Sequence, residues 1–225
     1  MSDRKTAISG IFVALSMLYV TCLLISNLIA GKIWALTDHI TVPASVILFP
    51  VTYILADIYT EVYGFGRAKQ VIWMGFICNF FAVIIYVIMV DLPYPASWID
   101  QDAYAVVFGL TPRVLAASFI AYLFGEFSNA VILSRLKVIT KGKKLWLRTI
   151  LSTMVGQGLD SVIFITISFM GIISIGHIVT MILYQYLFKL IFEVVFTPLT
   201  YLIAGKLKKA EGVDVYDTDE KYRLI

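Results

Sequence analysis

IVTMILYQYLFKLIFEVVFTPLTYLIA, residues 178–204, decides the fold. As a helix rising about 1.5 Å per residue it runs to about 40 Å, more than the ~30 Å hydrocarbon core of a bilayer. Its only charged side chains are Lys189 and Glu193. Five more apolar runs of the same character precede it, at 8–29, 44–62, 71–90, 114–133 and 149–172. The second is the weakest, because it carries two acids. Hydrophobic residues make up 60% of the 225-residue chain and charged residues 15%, too few charges for a water-soluble domain. The expectation is an all-α integral membrane protein with about six transmembrane helices. Residues 1–205 form one transporter-sized domain, and 206–225 form a cytoplasmic tail of mixed charge, read as a solvated extension.

The breaks between runs fall at 31–43, 63–70, 91–113, 134–148 and 171–177, with a surface helix expected near 103–110. All the Lys and Arg except Lys32, Arg113 and Lys189 lie in the termini or the even breaks, while Asp38, Asp91, Asp100 and Asp102 collect in the odd ones. Positive residues stay inside, so both termini are expected to be cytoplasmic. Arg4 and Lys5 lead into an apolar run with no small-residue cleavage site, which makes it a first helix and not a signal peptide. Three spans per half suggest an inverted pair, but Asp57 and Glu61 align only loosely with Glu126 and Asn129 or with Gln157 and Asp160, so no repeat is read.

The net charge of +3 reflects that loop asymmetry and implies no nucleic-acid partner. Cys22 and Cys78 both lie in apolar runs and read as buried packing residues. His39 and His177 sit near the outer face without a third ligand, so no metal is expected, and nothing calls for a cofactor. Trp34, Trp73, Trp98 and Trp146 fall at span boundaries, where membrane proteins place aromatic belts. Gly10 and Ala14 offer a small-residue contact face on the first helix.

Charged groups inside the spans carry the functional signal: Asp57 and Glu61 in the second, Glu126 in the fourth, Asp160 in the fifth, Lys189 and Glu193 in the sixth. At about 2.5–3.5 kcal/mol per central charge, six such groups cost on the order of 15–20 kcal/mol unless they face one another, water or a ligand. Asp57 with Glu61 and Lys189 with Glu193 are four apart, and Glu126 with Asn129 and Gln157 with Asp160 three apart, so each pair shares one helix face. Four polar faces at similar depth point to one cavity in the middle to inner half of the membrane. The competing reading is helix–helix glue, with Lys189 and Glu193 paired to each other and Glu61 held by nearby Arg67 and Lys69. The chain carries no G-x-S-x-G, H-E-x-x-H or Walker motif.

FPVTYILADIYTEVYGFGRAKQVIW, residues 49–73, with GEFSN at 125–129 and GQGLDSVIF at 156–164, resembles the signature of the queuosine precursor transporter family, also called the VUT family. The resemblance covers the second through sixth spans. It implies a bacterial inner-membrane importer of 7-deazaguanines, such as 7-cyano-7-deazaguanine, its aminomethyl relative or queuine, that supplies tRNA queuosine modification. A carboxylate accepts the adjacent N–H donors of such a base's Watson–Crick edge, and an amide serves its carbonyl. On that implication Asp160 or Glu126 is the carboxylate, Asn129 and Gln157 are the amides, and Glu193 or Asp57 meets a cationic aminomethyl group.

The partners expected are therefore a small deazapurine and the lipid bilayer. The sequence leaves open a homo-oligomer and a separate energising partner. Two other functions compete: a substrate-binding subunit of a multi-component vitamin-type importer, and a membrane-embedded lipid-modifying enzyme using Asp57 and Glu61 as acid and base.

Overall fold

A computed structural model describes residues 9–30, 32–37, 40–108, 112–171 and 174–218. Its elements are α1 (Gly10–Ile29), β1 (Ile33–Thr37), β2 (Ile40–Pro43), α2 (Phe49–Tyr63), α3 (Phe65–Asp91), α4 (Gln101–Phe108), α5 (Pro112–Ile139), α6 (Leu145–Phe169) and α7 (Ile175–Glu211). A short 3-10 turn, Ala44–Ile47, leads into α2. Among the described residues six segments are long and apolar enough to cross a bilayer: α1, residues 44–63, α3, most of α5, α6 and α7. They coincide with the six runs read from sequence, and α4 is the expected surface helix. His39, Arg4 and Lys5 lie outside the described residues, as does 219–225 of the tail.

Local chemistry sets the helix ends. Ser9 and Ser174 cap α1 and α7, each side-chain oxygen accepting from a backbone N–H three residues on. Pro50 stands in the first turn of α2, where its missing N–H costs nothing. Gly64, at φ 82°, ends α2 and starts α3 in one residue. The break expected over 63–70 thus shrinks to a single glycine, and Arg67 and Lys69 are helical. The basic break expected over 134–148 also shortens, because α5 continues to Ile139 and α6 begins at Leu145. The turn between them uses Lys141, Gly142 and Lys144, all at positive φ.

α2 is the central helix, buried without interruption from Thr52 to Val62 and touching α1, α3, α5 and α7. The two spans lowest in hydropathy, residues 44–63 and 116–139, are also the two most buried, where apolar content is no longer required for solvation. α3 is the opposite case: Met74, Ile77, Phe81, Ile84 and Ile88 point outward, as a lipid-facing stripe should. Cys78 lies on that outward face, so the expectation of two buried cysteines holds only for Cys22. Trp34, Trp98 and Trp146 are exposed at element ends, whereas Trp73 packs on Phe76 and Phe127. Between α1 and α2 the chain forms an antiparallel ribbon, Ile33 opposite Pro43 and Trp34 opposite Val42, which the apolar-run reading treated as a loop.

The tail differs from the solvated extension expected of it. α7 runs past the hydrophobic span to Glu211, and Gly212 at φ 65° turns the chain back. Residues 214–218 then lie across the ends of α2, α5 and α7. Val215 N–H donates to Val62 O at 3.2 Å, and Asp217 accepts from Phe65 N at 2.9 Å and from Ser134 Oγ at 2.5 Å.

Candidate functional site

The site begins with two glycines. A Cβ on Gly156 would lie 2.8 Å from Gly125 O and 2.9 Å from Asn129 Cβ, so α5 and α6 approach more closely than any side chain permits. That contact sets Glu126 and Asn129 of α5 beside Gln157 and Asp160 of α6. α2 supplies Tyr53, Asp57 and Glu61 from one face, and α7 supplies Gln185, Lys189 and Glu193. All eight residues singled out in the sequence are buried.

They form a column along the bundle. At one end, near the C-terminus of α1 and the N-terminus of α2, a cavity of about 20 Å³ is lined by Ser45, Phe49, Ser118, Phe164, Gln185 and the Asp160–Lys189 ion pair. That volume holds a water molecule or so, not a bicyclic base. A ligand of that size therefore requires the walls to part.

One to two turns deeper, Asn129 Nδ2 donates to Asp57 Oδ1 at 2.5 Å. Around that bond the buried acceptors outnumber their donors. Among the described residues Asp57 Oδ2, both oxygens of Glu126, Asn129 Oδ1, Gln157 Oε1 and Glu193 Oε1 have no hydrogen-bond partner. Tyr53 Oη is also unpartnered and points at Gly125, 2.5 Å from where a Cβ would stand. Glu193 and Glu126 both lie within electrostatic reach of Asp57. Native proteins satisfy nearly all buried polar atoms, so this group of partnerless acceptors stands out from the rest of the core. Its chemistry asks for N–H donors, protons or water.

At the far end Glu61 belongs to a different network. Arg148 donates from both terminal nitrogens to its carboxylate, the Nη2 bond being 3.2 Å. Lys208 reaches Glu61 Oε1 at 2.5 Å, and Lys137 lies 3.9 Å away while donating to the Glu61 carbonyl. Asp214 joins from the tail, 2.5 Å from Lys137 and 3.0 Å from Lys208. Burial works to raise the Asp214 carboxyl pKa, but the hydrogen bonds from Lys137 and Lys208 outweigh it and hold the group below the usual carboxylate range.

The structure therefore brings seven of the eight sequence candidates into one column and sets Glu61 at its far end, in an ion-pair network. Lys189 pairs with Asp160, not with Glu193, and Glu61 is held by Arg148 and Lys208, not by Arg67 and Lys69. Sequence reasoning missed Tyr53, Lys137, Arg148 and Lys208. As a linear pattern the three cations are indistinguishable from solvated loop charges, and the one available signal was Glu61 itself, an acid in a span that needs a cation from elsewhere. His177 bonds through Nδ1 to its own helix cap, Ser174 Oγ, at 2.7 Å. No group of His, Cys, Asp and Glu among the described residues is arranged to hold a metal ion.

Residues 43–203 match a family model described as "Putative vitamin uptake transporter". A "Probable queuosine precursor transporter" of Bacillus subtilis (strain 168) is 28% identical over 158 residues, 69% of this chain and 68% of that protein. A "Queuosine precursor transporter" of Escherichia coli (strain K12) is 26% identical over 151 residues, 66% of each chain. The matched segment thus spans about two thirds of these relatives. No solved structure matches.

Proposed function

This chain belongs to the vitamin uptake transporter family, and on that premise we propose that it imports queuosine precursors, 7-deazaguanine bases, across the bacterial inner membrane. Its six spans make it a multi-pass membrane protein of transporter type. Both termini face the cytoplasm in this reading, on the charge asymmetry of the loops. The cavity beside Phe49 and Phe164 then opens toward the outside, and the Glu61 cage closes the inside.

The observation that carries the substrate reading is the surplus of buried acceptors. A 7-deazaguanine presents N1–H and the exocyclic amine along one edge, and its aminomethyl form adds a cation. Carboxylates at Asp160 and Glu126 accept such an edge in a bidentate way, Phe49 and Phe164 offer apolar faces to the ring, and Gln157 or Asn129 serves the base's carbonyl through its amide nitrogen. Glu193 and Asp57 are the partners for an aminomethyl group.

Expression in bacteria that neither make queuosine precursors nor import them tests the proposal. Queuosine should reappear in tRNA when a precursor is supplied at low concentration, and an Asp160→Asn variant of equal abundance should fail. Failure of the well-expressed native chain with every precursor overturns the proposal.

A further inference from the structure

Asp160, the carboxylate assigned to the substrate above, is already taken. Lys189 donates to its Oδ2, with both side chains buried in the wall of the cavity. The same ammonium stands 5.5 Å from the centroid of the Phe49 ring, another wall. A base that takes both Asp160 oxygens must share one of them with the Lys189 ammonium, and the cavity in this state is too small to admit it.

Moving Lys189 away would strand two charges unless each finds a new partner, since removing one member of a buried pair leaves the other unpaired. The structure supplies those partners. Glu193 lies one helical turn along α7, on the same face, with Oε1 buried and partnerless. Both Glu126 oxygens are likewise partnerless, and Lys189 is within electrostatic reach of them. A lysine suits such a move: its compact ammonium rides on a flexible stem, whereas an arginine fork would lock onto a carboxylate.

We propose that Lys189 is an internal stand-in for the substrate, holding Asp160 in the empty site and swinging toward Glu193 and Glu126 when the base displaces it. Entry of the base exchanges one ion pair for another, and return of Lys189 to Asp160 drives the base out. Lys189 is on this account a positioning residue that competes with the substrate, and the inference rests on the reading of Asp160 as the substrate's carboxylate.

The test is binding and uptake of 7-cyano- and 7-aminomethyl-7-deazaguanine by the full chain in lipid nanodiscs and vesicles, comparing Lys189→Met and Lys189→Arg with the native protein. Lys189→Met removes the competitor, so affinity should rise at least ten-fold while the uptake rate at saturation falls. Lys189→Arg grips Asp160 with two bonds, so affinity should fall at least ten-fold with no loss of thermal stability. Opposite signs are the signature, because a merely structural role would weaken both. Weaker binding by Lys189→Met overturns the inference and makes Lys189 a direct substrate donor, and unchanged affinity in Lys189→Arg overturns it as well. If Lys189→Met does not fold, Lys189→Gln, which also removes the ammonium, takes its place, and the same rise in affinity is expected of it. No binding by the native chain overturns the substrate reading itself, and this inference with it.

Discussion

Asp57 and Glu61 stand one turn apart on the buried face of α2, yet Asp57 bonds to the neutral amide of Asn129 while Glu61 is gripped by Arg148 and Lys208. One carboxylate has a spare oxygen among partnerless acceptors, and the other is neutralised by cations one turn away. The two acids that the sequence presents as a pair therefore divide the work. Asp57 keeps a carboxylate oxygen unpaired among the buried acceptors, and Glu61 ties α2 to α6 and α7.

Removing Glu61 should be the costlier change at that inner end. Glu61→Ala leaves Arg148, Lys137 and Lys208 facing one another, whereas Arg148→Ala leaves Glu61 still held by Lys208. Breaking a buried pair costs about 3–5 kcal/mol. Thermal unfolding in detergent should show both variants destabilised in that range, with Glu61→Ala the worse. Equal stability with the native chain would remove the cage from the account.

Gly156→Ala should push α5 from α6, because its new methyl meets a backbone oxygen at 2.8 Å. Overpacking of this kind costs about 1–3 kcal/mol. Gly205→Ala is the control, since nothing lies within 4 Å of its added carbon. Melting temperatures should fall for the first and hold or rise for the second, where alanine is the better helix former.

Glu126→Gln keeps the shape of a side chain that has no bonded partner to lose. Stability should be retained while initial uptake of a deazaguanine falls at least ten-fold. Native uptake rates in this variant would take Glu126 out of the site.

The tail should loosen in acid. The Asp214 pKa is depressed in the folded chain, so the stability it adds is present above its unfolded value and is lost as pH falls through the lower folded value. A nitroxide on Thr218→Cys should report an immobile tail at neutral pH that begins to loosen below about pH 4, near the ordinary Asp pKa, and is fully mobile only once the pH has fallen below the lower folded value of Asp214. In Asp214→Asn the label should already be mobile at neutral pH.

The spans were legible because a bilayer demands long apolar runs, and the acids stood out because each is costly there. Glu61's partners were not legible. Lys137 and Arg148 sit at run ends, where hydration and a buried pair look alike in one dimension; the extension of α7 past its apolar span brings Lys208 to them, and the return of the chain after Gly212 brings Asp214. The exposure of Cys78 follows from which side of α3 faces α1 and α5, a choice that a helix apolar nearly all round does not encode. The ribbon of Ile33–Thr37 and Ile40–Pro43 was hidden because a search for spans reads any short stretch between two helices as a connection.

Uptake by the purified chain alone tests the central claim most directly. Vesicles containing it should accumulate radiolabelled 7-cyano-7-deazaguanine over time, above empty vesicles, with the signal competed by unlabelled 7-aminomethyl-7-deazaguanine and lost in Asp160→Asn. Folded, correctly inserted protein that moves none of the precursors would contradict the account.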